Sequence, residues 1–191
     1  MGTSHALSTK VLQSIPEYAQ AFKQIFNTDI ITIEQITQSI AEFERTLLTP
    51  NSRFDQWLMG KKDALTALEL SGDDLFKKSD CTTCHSGIGI GGNLYEEIGL
   101  FEEADEKDEL QTFKVPTLRN IALTAPYFHD GKVKTLEKAV KEMGRLQVGE
   151  NFTKQEVSLL VAFLKTLTGE QPSFPLPNLP PFTGQTPQPQ L

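Results

Sequence analysis

Residues 81–85 read CTTCH, and Cys81 and Cys84 are the only cysteines in the 191-residue sequence. Two thiols separated by two residues, with a histidine directly after the second, let both thiols add to the vinyl groups of one haem while the histidine reaches its iron. Each competing use of such a pair lacks something here. A structural zinc takes four ligands, commonly from two cysteine pairs, and there is no second pair. A redox CxxC belongs in a βαβ setting, whereas this one follows an apolar helical pattern and precedes Gly87, Gly89, Gly91 and Gly92. With no further cysteine there is no disulfide framework. The pattern therefore implies one covalently bound haem c on Cys81 and Cys84, with His85 as an axial ligand of the iron.

Upstream of the motif, Thr66 with Glu69 three residues on opens a helix that runs through Leu75 and Phe76 to the cysteines. The same signature recurs at Thr32 with Gln35, ahead of Ile36, Ile40, Phe43 and Leu47, and that helix ends before Pro50. Ser14 with Glu17, and Pro16 just inside, predicts a capped helix that carries Tyr18, Phe22 and Ile25 inward. Downstream, helical periodicity fails over residues 86–134, which read as a long structured loop. Loops of that length usually carry function, and a haem is a suitable thing to wrap. Helical spacing resumes at Leu136, Val140 and Met143. Thr153 with Glu156 caps a last helix bearing Val157, Leu160, Val161, Leu164 and Leu167, with Gly169 as its expected C-cap. From Gln171 onward the chain holds seven of its eleven prolines and reads as an extended tail. No clear strand and no repeat is visible. The expected fold is mainly α, a helical domain over residues 1–170 wrapped around one covalent haem, with long loops and a Pro-rich tail over 171–191.

Composition narrows the partners. The formal charge of −7 argues against nucleic acid, because phosphate binding draws on clustered Lys and Arg. The acidic run EEADEKDE at 102–109 reads as a solvated loop, with docking of a cationic partner as the sharper alternative. No apolar run approaches the roughly 20 residues a transmembrane helix needs. The opening MGTSHALSTK has no apolar signal core either, although haem attachment to CxxCH normally implies export.

The iron's sixth position has five readings: His5, His129, Met59, Met143 or nothing. Met143 lies in phase with Val140, so a core methionine and an iron ligand stand level on spacing alone. Met59, beside Gly60, Lys61 and Lys62, reads as surface. His129 is a candidate ligand or a hydrogen-bonded loop histidine near the haem edge. Arg119 has the fork geometry for a haem propionate, and an ordinary surface ion pair serves equally.

Four segments, AEFERTLLTPNSRFDQWLMG (41–60), CTTCHSGIGIGGN (81–93), FKVPTLRNIALTAPYFHDGKVKTLEKAVKEMGRLQVG (113–149) and VAFLKTLTG (161–169), resemble the bacterial di-haem cytochrome c peroxidases. The likeness spans most of the chain up to the tail and is to the second half of such enzymes, the domain of the electron-accepting, high-potential haem. It implies that His85 and Met143 are the two axial ligands; a related branch that oxidises a protein-bound cofactor precursor has tyrosine in place of this methionine. It implies a calcium ion held by backbone carbonyls of Thr124 and Pro126. It also implies a periplasmic homodimer whose haem accepts electrons from a small redox protein, a cytochrome c or a cupredoxin, and passes them to a peroxide-reducing haem in another domain. That first half, with its own CxxCH, is not in this sequence. The chain is therefore expected to be a fragment, which would account for the absent export signal. The alternative is an independent mono-haem cytochrome that carries electrons and catalyses nothing.

Overall fold

Residues 3–101 and 112–188 are described by the structure, a computed structural model. The acidic run 102–109 lies outside them. The chain divides into two compact units, Met1–Leu48 with Pro172–Leu191, and Thr49–Gln171. The architecture is mainly α, as expected, and no helix among the described residues is long and apolar enough to cross a membrane.

The first unit contains α1 (His5–Gln13), α2 (Pro16–Phe26) and α3 (Ile33–Thr46). The expected capping box at Ser14 and Glu17 does not form. Ser14 instead closes α1, its hydroxyl donating to the Val11 carbonyl at 2.7 Å, and Ile15, which is buried, becomes the N-cap of α2 with Pro16 at the first helical position. On α2, Phe22 stacks on Phe26 with ring centroids 5.6 Å apart, while Ile25, expected to face inward, is exposed. The Thr32–Gln35 capping box of α3 does form, with both reciprocal hydrogen bonds present. Its apolar stripe, however, is not buried within the unit, since Ile40, Phe43 and Leu47 are all exposed. Over its described residues, 171–188, the proline-rich tail has no regular secondary structure. Its Thr183 donates to the Ser14 carbonyl, and the Thr186 hydroxyl oxygen lies 3.0 Å from that of Ser14, which groups the tail with these helices.

The second unit holds α4 (Arg53–Leu58), α5 (Ala67–Lys78), α6 (Leu136–Met143) and α7 (Lys154–Lys165). Capping boxes open α4 at Ser52 with Asp55, α5 at Thr66 with Glu69, and α7 at Thr153 with Glu156. Such a cap contributes about 1 kcal/mol by pairing backbone N–H groups that the helix leaves open. The two long helices, α5 and α7, form the principal pair, and Gly72 lets their backbones meet. Phe76 of α5 and Val157, Leu160, Val161, Phe163 and Leu164 of α7 make the centre of one core that also takes in Leu118, Tyr127, Leu136 and Val140. Each such side chain taken fully out of water contributes about 1.5–3 kcal/mol.

Two expectations change in this unit. Residues 86–134 are not all loop, because β1 (Tyr95–Glu97) pairs antiparallel with β2 (Thr112–Lys114), Glu96 opposite Phe113. Three residues per strand are too few for alternation to be read in sequence. Gly169 is not the C-cap of α7, which closes at the buried Thr166. It serves close approach instead, since a β-carbon there would lie 2.0 Å from the Thr49 carbonyl oxygen.

Candidate haem site

The motif is placed by the end of α5. Lys78 is the last helical residue, Ser79 is buried as the C-cap, and Asp80 reverses the chain with a left-handed φ of 54°. Cys81–Thr83 then forms a single 3₁₀ turn, and both Cys84 and His85 donate their backbone N–H to the Cys81 carbonyl. Both thiols and the imidazole therefore leave one turn of chain.

Burial sets the protonation of all three. The Cys81 thiol is pushed up to about 11, first by burial and then by the nearby Glu150 and Asp80 carboxylates, against a backbone hydrogen bond. Cys84 is also raised, by burial and by Glu96. Both sulfurs stay neutral near pH 7, which suits a thioether and not a thiolate nucleophile or metal ligand. Burial pushes the His85 pKa down, with the Pro116 and Ile90 carbonyls pulling the other way. A neutral imidazole with a free Nε2 lone pair is the iron-binding form. Its Nδ1 is fully buried, and the Pro116 and Ile90 carbonyls are near enough to act on the ring although neither meets strict hydrogen-bonding geometry.

The wall beside His85 is built of backbone. Gly91 N–H donates to the Ser86 carbonyl at 2.8 Å, Gly92 to Val115 at 2.8 Å, and Leu118 to Ile90 at 3.1 Å, so residues 86–92 run along residues 115–118. Gly91 has a φ of +117°, and a β-carbon there would lie 2.3 Å from the Pro116 carbonyl oxygen and 3.2 Å from His85 Nδ1. A side chain cannot be accommodated at the point where loop, carbonyl and imidazole converge. The Phe76 ring lies 6.4 Å from the His85 ring, centroid to centroid.

The remaining candidates fall in different places. Met143, half-buried, is the last residue of α6 and leads into a π-helical turn over Gly144–Val148, a deviation common at functional sites. Met59 is exposed, as its polar neighbours suggested. His5 begins α1 in the other unit. His129 stacks on Phe113 of β2, centroids 4.5 Å apart and planes 22° from parallel. Arg119 makes an ion pair with Asp55, donating from its two terminal nitrogens at 2.8 and 2.7 Å, while its Nε donates to the Ile88 carbonyl at 2.6 Å. Thr124 and Pro126 are exposed, at the end of the short 3₁₀ turn Ile121–Leu123 and across a cis Ala125–Pro126 bond. Asp55, Pro116 and Gly91 were not singled out from sequence. The SxxD spacing of Ser52 and Asp55 was the one available signal, and it marked a helix cap, not a partner for Arg119.

The donor set fits a covalent c-type haem: two neutral thiols on one turn, a neutral imidazole with an orphaned buried Nδ1, and a glycine where a side chain would intrude. Family comparison agrees. A model described as cytochrome c matches residues 70–168, over half the chain, and one described as di-haem cytochrome c peroxidase matches residues 1–63. The cytochrome c551 peroxidase of Nitrosomonas europaea is 49% identical over 203 residues, covering 100% of this chain. The chain belongs to the di-haem cytochrome c peroxidase family.

Within this peroxidase family, the cytochrome c peroxidase Ccp of Escherichia coli K12 is 43% identical, over 83% of this chain and 37% of its own length. A solved MauG-like protein associated with microbial copper homeostasis superposes with a TM-score of 0.66 at 28% identity, over 87% of this chain and 62% of its own. The chain spans 61% of the Nitrosomonas relative's length. Family membership implies covalently bound haem c, whose iron supplies one-electron chemistry. Of this chain's residues, the thiols of Cys81 and Cys84 and the neutral imidazole of His85 are the ones that would hold such a group.

Proposed function

We propose that this chain is the electron-accepting haem domain of a cytochrome c peroxidase, relaying electrons from a small redox protein to a peroxide-reducing haem outside it. There one hydrogen peroxide takes up two electrons and two protons to give two waters. The observation that carries the reading is the single turn that bears both thiols and a buried, neutral His85, with Met143 at the end of α6 as the second axial ligand that the family likeness implies. A methionine opposite histidine raises the reduction potential, which suits an acceptor of electrons. It also fills the sixth position, so the iron is closed to peroxide.

On the same reading the protein works in the periplasm as a homodimer, and its donor is a cytochrome c or a cupredoxin. The backbone carbonyls of Thr124 and Pro126, both exposed residues, would hold a calcium ion, for which neutral oxygens are suitable ligands.

The test is an absorption spectrum of the purified holoprotein, oxidised and reduced. A weak red band reporting sulfur ligation of ferric haem, present in the unmodified chain and lost in Met143→Ala, supports the relay. Absence of that band, or rapid peroxide turnover by this chain with the band intact, overturns it.

A further inference from the structure

Two arginines of the second unit make the same three-point grip. Arg53 donates from both terminal nitrogens to the two carboxylate oxygens of Glu69, at 2.6 and 2.7 Å, and from Nε to the Ala64 carbonyl at 3.0 Å. Arg119 holds Asp55 and the Ile88 carbonyl in the same way. In both cases the acid is the third helical residue of a capping box, its carboxylate already accepting from the N-cap backbone N–H. What differs is the backbone that each Nε holds. Ala64, itself buried, ends the 3₁₀ turn Lys62–Ala64 ahead of α5, whereas Ile88 belongs to the loop that folds around His85.

That loop decides what His85 Nδ1 faces. Residues 88–92 and 115–119 run side by side, joined by hydrogen bonds from Leu118 to Ile90 and from Gly92 to Val115, and by the Thr117 hydroxyl to Gly89. Pro116 sits in the middle of the second segment, its carbonyl oxygen turned toward the point where Gly91 meets Nδ1. Arg119 ends the second segment and grips the first residue of the first. Asp55 anchors that grip to α4, and the pair is largely shielded, with side-chain exposures of 20% and 17%.

We infer that Arg119, held by Asp55, is a positioning residue that keeps the Pro116 carbonyl against His85 Nδ1 and so sets the reduction potential of the haem that His85 ligates. The inference rests on the reading of His85 as the iron ligand. A carbonyl close to the Nδ1 proton makes the imidazole more electron-rich, which favours the ferric state, and outer-shell partners of this kind tune metal sites. A lysine keeps the charge but is a point donor and cannot hold two carboxylate oxygens and a carbonyl together.

The experiment is an equilibrium redox titration of the holoprotein, followed by absorption, for three variants whose folding is checked by far-ultraviolet circular dichroism. Arg119→Lys conserves charge. The double variant Asp55→Asn/Arg119→Gln removes the pair with no change in net charge. Arg53→Lys breaks the matching grip away from the haem loop. The expected result is a more positive potential in the first two and an unmoved potential in the third. Equal shifts in all three, or none in any, would show that the Arg119 grip is only structural and overturn the inference. A fall in the double variant would mean that the guanidinium had been stabilising the reduced haem directly, and would overturn it as well. A haem spectrum with an unmoved potential sinks this inference alone, whereas no haem spectrum in the unmodified chain sinks the functional reading with it.

Discussion

Gly72 of α5 lies so close to Leu159 of α7 that a β-carbon at residue 72 would sit 2.1 Å from the Leu159 carbonyl oxygen and 2.8 Å from the Phe163 β-carbon. The contact sits between the helix that delivers the CTTCH segment and the helix that supplies the largest share of the core.

Gly72→Ala should therefore destabilise the holoprotein although alanine is the better helix former. Intrinsic propensity alone would stabilise by about 1 kcal/mol. The neighbour here is backbone that cannot rotate aside, and overpacking of that kind typically costs about 1–3 kcal/mol, more where backbones must part. A net loss of about 2 kcal/mol is expected, read as a lower urea midpoint at unchanged slope. An unchanged or higher midpoint would show that the two helices separate freely.

Covalent attachment can be dissected thiol by thiol. Cys81→Ala and Cys84→Ala should each retain haem through the remaining thioether, and the double variant should release it to acidified acetone. If one single variant already releases all of its haem, the two thiols do not share one group as a single turn implies.

Gly91→Ala should lose haem even where the polypeptide accumulates. The new methyl group would meet the Pro116 carbonyl at 2.3 Å and His85 Nδ1 at 3.2 Å, on a backbone at φ +117° that an alanine rarely adopts. The measurement is the ratio of haem absorbance to protein. A normal ratio would mean that the loop can retreat from His85 without cost.

What was legible in the sequence was local. The boxes at Thr32, Thr66 and Thr153 were readable because cap and acceptor lie three residues apart, and the spacing of the two thiols and the histidine left one dominant chemistry. Ser14 satisfied the same pattern and failed, because its hydroxyl is taken by Val11 on the preceding turn, a competition that spacing does not display. The stripe Ile40, Phe43 and Leu47 was rightly seen as one apolar face, yet periodicity says only that a face is apolar and not what covers it. Arg119 was illegible in a different way. Its partner Asp55 stands 64 positions earlier in the chain, so fork geometry suggested a carboxylate and could not say whose.

The same pair makes stability depend on acid in a defined window. Arg119 beside Asp55 holds that carboxyl below an aspartate's usual 3.8, with burial opposing and the Ser52 bonds assisting. The folded chain thus binds this proton more weakly than the unfolded chain. The stability supplied by the carboxylate is complete above the unfolded value and is lost as pH falls through the lower folded value. Urea midpoints of the unmodified holoprotein should therefore drop as pH falls below about 4. Asp55→Asn should start lower at neutral pH and fall less steeply through that window, because the group that protonates is gone. Glu69 and Glu156 are also lowered and remain in both proteins, so the difference between the two curves isolates Asp55. Curves that run parallel from pH 7 to the acid limit would mean that the ion pair contributes nothing to the fold, and that Arg119 is held in place by Ile88 alone.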